Sequence, residues 1–149
     1  MARTREQKKK EFIGHLGYEE HMLLASFNLI QTKSDEMNAL IESFAIHARA
    51  LLEFFEVIKA KGATASDFTI EKYTPKFVDK VKPATIQKLH NQIAHLSIER
   101  TEETSEKLGG PDRLELLNLI KQELFEFVKH LRPEYSPVQG LRPEGSTKE

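Results

Sequence analysis

The run Leu40-Ile41-Glu42-Ser43-Phe44-Ala45-Ile46-His47-Ala48-Arg49-Ala50-Leu51-Leu52-Glu53-Phe54-Phe55-Glu56-Val57-Ile58 decides the fold. Leu40, Phe44, Leu51, Phe55 and Ile58 recur at the three-, four- and seven-residue steps of one helix face. Ile41, Ala45, Ala48 and Leu52 widen that stripe. Ser34 is a natural N-cap, and Asp35 and Glu36 suit the positive end of a helix. The spacing therefore predicts a helix from about Asp35 to Lys61, with Gly62 as its stop.

The same spacing extends in both directions. A first helix is predicted from about Glu11 to Gln31, with Phe12, Leu16, Leu23, Phe27 and Ile30 on its stripe. Gly14 and Gly17 weaken its early turns and point to a later start. A third helix opens at Pro83, a residue tolerated in a first turn. It runs to about Glu103 with Ile86, Leu89, Ile93 and Leu96 inward. A fourth follows Gly109-Gly110-Pro111, where Asp112 and Glu115 have capping-box spacing. Leu114, Leu117, Leu124, Val128 and Leu131 form its main stripe and Leu116, Ile120 and Phe127 a second, before Pro133 ends it.

Short links between the first and second helices, and between the third and fourth, favour antiparallel hairpins. The expectation is an all-α, four-helix up-and-down bundle. Residues 62–82 carry Phe68, Ile70, Tyr73, Phe77 and Val81, too aromatic for a free linker, and are expected to pack over the bundle. Residues 1–132 read as one domain, and residues 133–149, rich in proline, glycine and charge, as a flexible tail.

Composition removes several classes of function. Among 149 residues there is no cysteine, so disulfides, thiolate zinc sites, iron–sulfur clusters and cysteine nucleophiles are excluded. A net charge of −1 gives no global field toward nucleic acid or anionic membrane. No apolar run reaches the length of a membrane span, and the charged first residues lack the apolar core of a secretion signal. A cytoplasmic protein is expected, with no cofactor. The basic residues Arg3, Arg5, Lys8, Lys9 and Lys10 read first as a solvated N-terminal arm and second as a phosphate-binding one.

The candidate chemistry lies in His90-Asn91-Gln92-Ile93-Ala94-His95-Leu96-Ser97-Ile98-Glu99-Arg100. At roughly 100° per residue, Asn91 and His95 share a side nearly opposite the apolar stripe, with Ile98 one turn on. His90 sits at the border of that stripe, and Arg100 falls within it. Such a second face suits a dimer interface or a ligand cleft. The plainer reading is a set of surface histidines, with Arg100 paired to a carboxylate such as Glu53 or Glu56.

Other polar residues have plain readings too. His47, inside the stripe of the second helix, reads first as a core histidine bonded to a neighbouring helix. Its alternative is a metal or small-ligand site shared with His90 or His95. His90 and His95 diverge by roughly 140°, which is poor for shared coordination. Arg49 and Glu53 read as an intrahelical pair, or Arg49 reaches toward the third helix. Phe44, Phe54, Phe55 and Phe68 read as core.

The segment from His90 to His95 resembles the motif of the HEPN superfamily, helical proteins of bacterial toxins and phage defence. That motif is an arginine, four to six residues and a histidine, often with asparagine after the arginine. Here Asn91 and His95 match, and His90 stands where the arginine would be. The stretch Ser43–Phe55 and the phrase Ile93-Ala94-His95-Leu96-Ser97 through Arg100 also look like those of small uncharacterised bacterial helical proteins.

The HEPN resemblance implies metal-independent RNA cleavage at a symmetric homodimer interface. It implies His95 as acid or base, Asn91 as its orienting partner and His90 in the arginine's place. Arg49 and Arg100 would assist on phosphate. A catalytically inactive relative that binds RNA, and a non-enzymatic module that binds a partner protein, are the alternatives of other kinds.

Overall fold

The computed structural model describes residues 3–32, 37–93, 106–136, 138 and 141. It contains four helices packed against each other: α1 (Arg5–Ile30), α2 (Met37–Phe54), α3 (Pro83–Ile93) and α4 (Gly110–Val128). Among the described residues, 3-10 turns at Ala65–Asp67 and Val78–Lys80 lie between α2 and α3 and one at Pro133–Tyr135 follows α4, and there is no strand. The expected all-α bundle of four helices with an ordered connection is what is observed.

α1 begins earlier than its glycines suggest. The Thr4 hydroxyl accepts the Gln7 N–H at 3.2 Å, and the Gln7 side chain accepts the Thr4 N–H at 2.8 Å. This reciprocal cap satisfies two orphan donors of the first turn and offsets Gly14 and Gly17. The basic run from Arg5 to Lys10 is therefore helical, with Arg5, Lys8 and Lys10 exposed as expected and Lys9 bonded to the Asp67 carbonyl. α1 buries Ile13, Leu16, Gly17, Leu23, Ser26 and Ile30. Phe12, expected on the stripe, lies at its margin and is 39% exposed.

α2 packs chiefly along α1 and stops sooner than Gly62. Its end is a Schellman arrangement: Val57 N–H reaches the Leu52 carbonyl and Glu56 N–H the Glu53 carbonyl, both at 3.0 Å. Glu56 takes the left-handed position, with φ of 60°. A glutamate there carries a steric cost that glycine would not. The turn survives because the aromatic cluster beyond it is buried: Phe54 and Phe55 meet Phe127 of α4 edge-on at 5.2 and 5.8 Å between ring centroids.

α4 buries Arg113, Leu116, Leu117, Ile120, Glu123, Leu124 and Phe127, a three/four-spaced face that includes two charged residues. Leu114, placed on the main stripe by the sequence, is 49% exposed. Both sequence-derived stripes otherwise point inward: Leu117, Leu124 and Leu131 of the first and Leu116, Ile120 and Phe127 of the second are buried, and Glu123 joins them. At the start of α4, Asp112 is the third residue of the first turn and accepts the Gly109 N–H at 3.0 Å, so it closes the cap from inside the helix.

The connection between α2 and α3 folds back over the bundle. Phe68, Tyr73, Val78 and Val81 are buried, whereas Ile70 points outward at 72% exposure. An isolated antiparallel bridge joins Thr69 to Leu131, with Arg132 N–H on the Phe68 carbonyl at 3.0 Å. Packing continues past Pro133: Tyr135 is buried and its hydroxyl donates to Glu6 at 2.8 Å, and Val138 and Leu141 are also buried. These residues of the expected mobile tail are thus part of the core.

Candidate functional site

Arg49 on α2 lies near enough to His90 on α3 for its charge to act on the imidazole across the packed α2–α3 junction. Arg49 Nε donates to Glu53 Oε1 at 3.0 Å, which fixes the guanidinium one turn from its own helix position. His90 is half-buried. Burial lowers the proton affinity of its imidazole, the Arg49 guanidinium lowers it further, and the Glu53 carboxylate partly opposes both. The ring is therefore neutral at pH 7, beside a fixed cation. A neutral imidazole can accept a proton, and a neighbouring guanidinium can hold an anionic oxygen.

Asn91 does not join this pair. Its Oδ1 accepts from Gln87 Nε2 at 2.9 Å, and its Nδ2 reaches the Glu106 carbonyl at 3.5 Å. The amide is engaged along the outer edge of α3, toward the chain that enters α4. His95, Ile98 and Arg100 lie outside the described residues. Of the five residues singled out from the sequence, the structure brings Arg49 and His90 together and sets Asn91 apart.

A second feature adjoins Glu53. A half-open cavity of about 230 Å³ lies between α1, α2 and residues 60–63. Phe12, Leu16 and Phe54 make its apolar wall, and His15, Glu19 and Glu53 bring polar atoms to it. Glu53 therefore belongs to both features: it pairs with Arg49 and it lines the cavity. A more open trough walled by Arg5, Lys8, Lys9 and Phe68 adjoins the cavity and shares Phe12, Gly62 and Ala63 with it. Apolar periodicity does not mark this hollow, because Glu19 and Glu53 lie off the apolar stripes.

His47 follows its plainer reading. Its Nδ1–H donates to Glu19 Oε2 at 2.7 Å, and Tyr18 packs edge-on against the ring at 5.8 Å. Among the described residues no group of three histidines, aspartates or glutamates could hold a metal ion. The metal alternative has no support there. His15, His21 and His130 are exposed. His130 Nδ1–H donates to the Glu126 carbonyl at 2.9 Å.

Sequence reasoning missed Glu123, which is fully buried. Its Oε2 accepts the N–H groups of Lys76, Phe77 and Val78 at 2.9, 2.6 and 3.1 Å, and its Oε1 accepts the Tyr73 hydroxyl. The available signal was a glutamate between Ile120 and Phe127 on the inward face. Its role is to pin the α2–α3 connection, and so to set where α3 carries His90.

Comparison with protein-family models, curated proteins and solved structures gave no match to this chain. Among the described residues no helix is long and apolar enough to cross a membrane.

Proposed function

We propose that the protein is a HEPN-like RNA-binding protein that cleaves RNA without a metal, at the α2–α3 flank occupied by Arg49 and His90. The observation that carries the reading is their juxtaposition: Arg49 supplies, from the neighbouring helix, the cation that position 90 lacks. The neutral His90 ring would take the proton of a ribose 2′-hydroxyl. The 2′-oxygen would then bond to phosphorus as the bond to the 5′-oxygen breaks, leaving a 2′,3′-cyclic phosphate and a 5′-hydroxyl. The leaving oxygen would take its proton from solvent or from His95, the histidine that the HEPN resemblance assigns. Arg49 would hold the charge that builds on the phosphoryl oxygens. DNA lacks the nucleophile and would not be cut.

The same reading places a second copy of the chain against the outer side of α3, where the resemblance puts a symmetric dimer interface, with Asn91 at that edge and Arg100 as a further phosphate contact. The test uses labelled single-stranded RNA with a chelator present. Wild type is compared with Arg49→Ala, His90→Ala and His95→Ala, each checked for unchanged helicity. The expected result is chelator-resistant cleavage to cyclic-phosphate ends, reduced about 100-fold or more by each histidine substitution. No cleavage by wild type, or equal cleavage by all four proteins, overturns it.

A further inference from the structure

The cavity beside Glu53 and the basic trough adjoin along α1, with Phe12, Gly62 and Ala63 in the walls of both, and together they mark one groove-like track. We propose that this groove is the path of the RNA: a single strand lies along α1, with phosphates on Arg5 and Lys8, one base in the Phe12–Phe54 cavity, and the next phosphate delivered past Glu53 to Arg49 and His90. The inference rests on the functional reading above and adds the substrate's form and its course over the surface.

Three observations support it. The first is the pattern of charge. Arg5 and Lys8 are exposed and enter no ion pair among the described residues. The neighbouring Lys9 bonds the Asp67 carbonyl at 3.2 Å and lies 5.9 Å from the centre of the Phe68 ring. Asp67, the carboxylate among the residues that line the trough, accepts the Thr64 N–H on Oδ2 at 2.9 Å. The trough is therefore cationic with an aromatic floor, the combination that follows a single-stranded backbone while stacking bases.

The second is size. At about 230 Å³ the cavity falls below the roughly 300–1,000 Å³ usual for drug-sized ligands, so it suits one flat heterocycle. Phe12 already stacks on Phe68, with centroids 5.6 Å apart and planes 5° from parallel, and it leaves part of its surface open. Glu19 and Glu53, which would repel a phosphate, can accept hydrogen bonds from the exocyclic amines of a base. The groove thus changes from phosphate-binding to base-binding along its length.

The third is reach. From Arg5 to Glu19 the helix rises about 21 Å, enough for a few extended nucleotides and more than a mononucleotide needs. A duplex would not fit, because one of its bases must leave the stack to enter the cavity. The groove's far end is Glu53, already bonded to Arg49.

The test separates this path from the chemistry. The probe is a fluorescent single-stranded 2′-O-methyl oligoribonucleotide, which binds but has no hydroxyl to attack. Affinity is measured by anisotropy over a salt series for the full chain and for Arg5→Glu/Lys8→Glu, Phe12→Ala and the off-groove control Lys72→Glu. The double variant is expected to bind at least tenfold more weakly and to flatten the slope of log affinity against log salt by about 1.4, two phosphates at about 0.7 each. Phe12→Ala is expected to lose about tenfold, one stacked base. Lys72→Glu is expected to bind as wild type.

Wild-type affinity in the double variant, equal competition by polyglutamate, or preference for duplex RNA each overturns the groove, even where His90-dependent cleavage persists. Groove-dependent binding without any cleavage of ordinary RNA supports the path while removing the catalytic reading.

Discussion

Tyr73 donates its hydroxyl to Glu123, and both partners are buried. Burial and the adjacent carboxylate push the Tyr73 hydroxyl well above its ordinary range, so it remains a donor through neutral and alkaline pH. With three backbone N–H groups on its other oxygen, the Glu123 carboxylate has donors on both oxygens. Replacing it by glutamine would turn one acceptor into a donor that faces other donors. Glu123→Gln is therefore expected to lower stability by about 2–4 kcal/mol, the cost of leaving buried donors unmet. Tyr73→Phe should lose about 1–2 kcal/mol and, combined with Glu123→Gln, add little more. Urea unfolding of the two single variants and the double variant measures this. Full additivity would show that the two groups act independently.

Glu56 ends α2 in a conformation that favours glycine. Glu56→Gly relieves the Cβ–carbonyl crowding but also frees the unfolded chain, so the net gain is expected near 0.5–1 kcal/mol. The Schellman bonds of Val57 and Glu56 use only backbone atoms and would persist. Thermal unfolding reads the result as a Tm a few degrees higher. A lower Tm would mean that the Glu56 side chain makes a contribution larger than the strain.

The first helix offers a paired prediction. Gly14 is exposed in mid-helix, and a Cβ there would meet nothing within 4 Å. Gly14→Ala is expected to stabilise by about 0.5–1 kcal/mol. Thr4→Ala removes one arm of the reciprocal cap and is expected to cost about 1 kcal/mol. Both are read by thermal unfolding monitored by circular dichroism. Equal Tm values for Thr4→Ala and wild type would show that the first turn frays in solution.

These three sites also show which features are legible in a sequence. Apolar spacing located all four helices, because each must bury one stripe. It placed the start of α3 at Pro83 but misplaced the start of α1 and the end of α2, since those are set by side-chain and backbone bonds such as Thr4–Gln7 and Val57–Leu52, which lie outside the periodic signal. On α4 it misjudged single positions, placing Leu114 inward and passing over Glu123, whose burial depends on the donors of residues 76–78. At the candidate site, Arg49 and His90 were each visible in their own helices, but their meeting depends on how the α2–α3 connection is pinned. The groove was legible only in part: Arg5, Lys8 and Lys9 stood out as a basic run, and with Phe12, His15, Leu16 and Glu19 they keep helical spacing, but the opposite wall comes from α2 and residues 60–68, far away in the chain.

The His90–Arg49 pair carries a pH dependence whose sign follows from its surroundings. In the unfolded chain an imidazole takes its proton at about pH 6.5. In the fold, burial and the Arg49 guanidinium hold His90 below that value. Between the two values the unfolded chain binds more protons, so stability is complete above the unfolded value and falls as pH drops through it. The loss levels off once the folded protein also takes the proton. His90→Gln removes this contribution, so its loss of stability between about pH 7.5 and about pH 5.5 should be smaller than that of wild type. Arg49→Gln should have a partial effect of the same sign, because only the second of the two causes is removed. Urea unfolding at the two pH values, at one fixed salt concentration, provides the comparison. Equal losses in wild type and His90→Gln would mean that His90 titrates as it does in the unfolded chain, and the neutral base beside a fixed cation, on which the cleavage chemistry depends, would no longer stand.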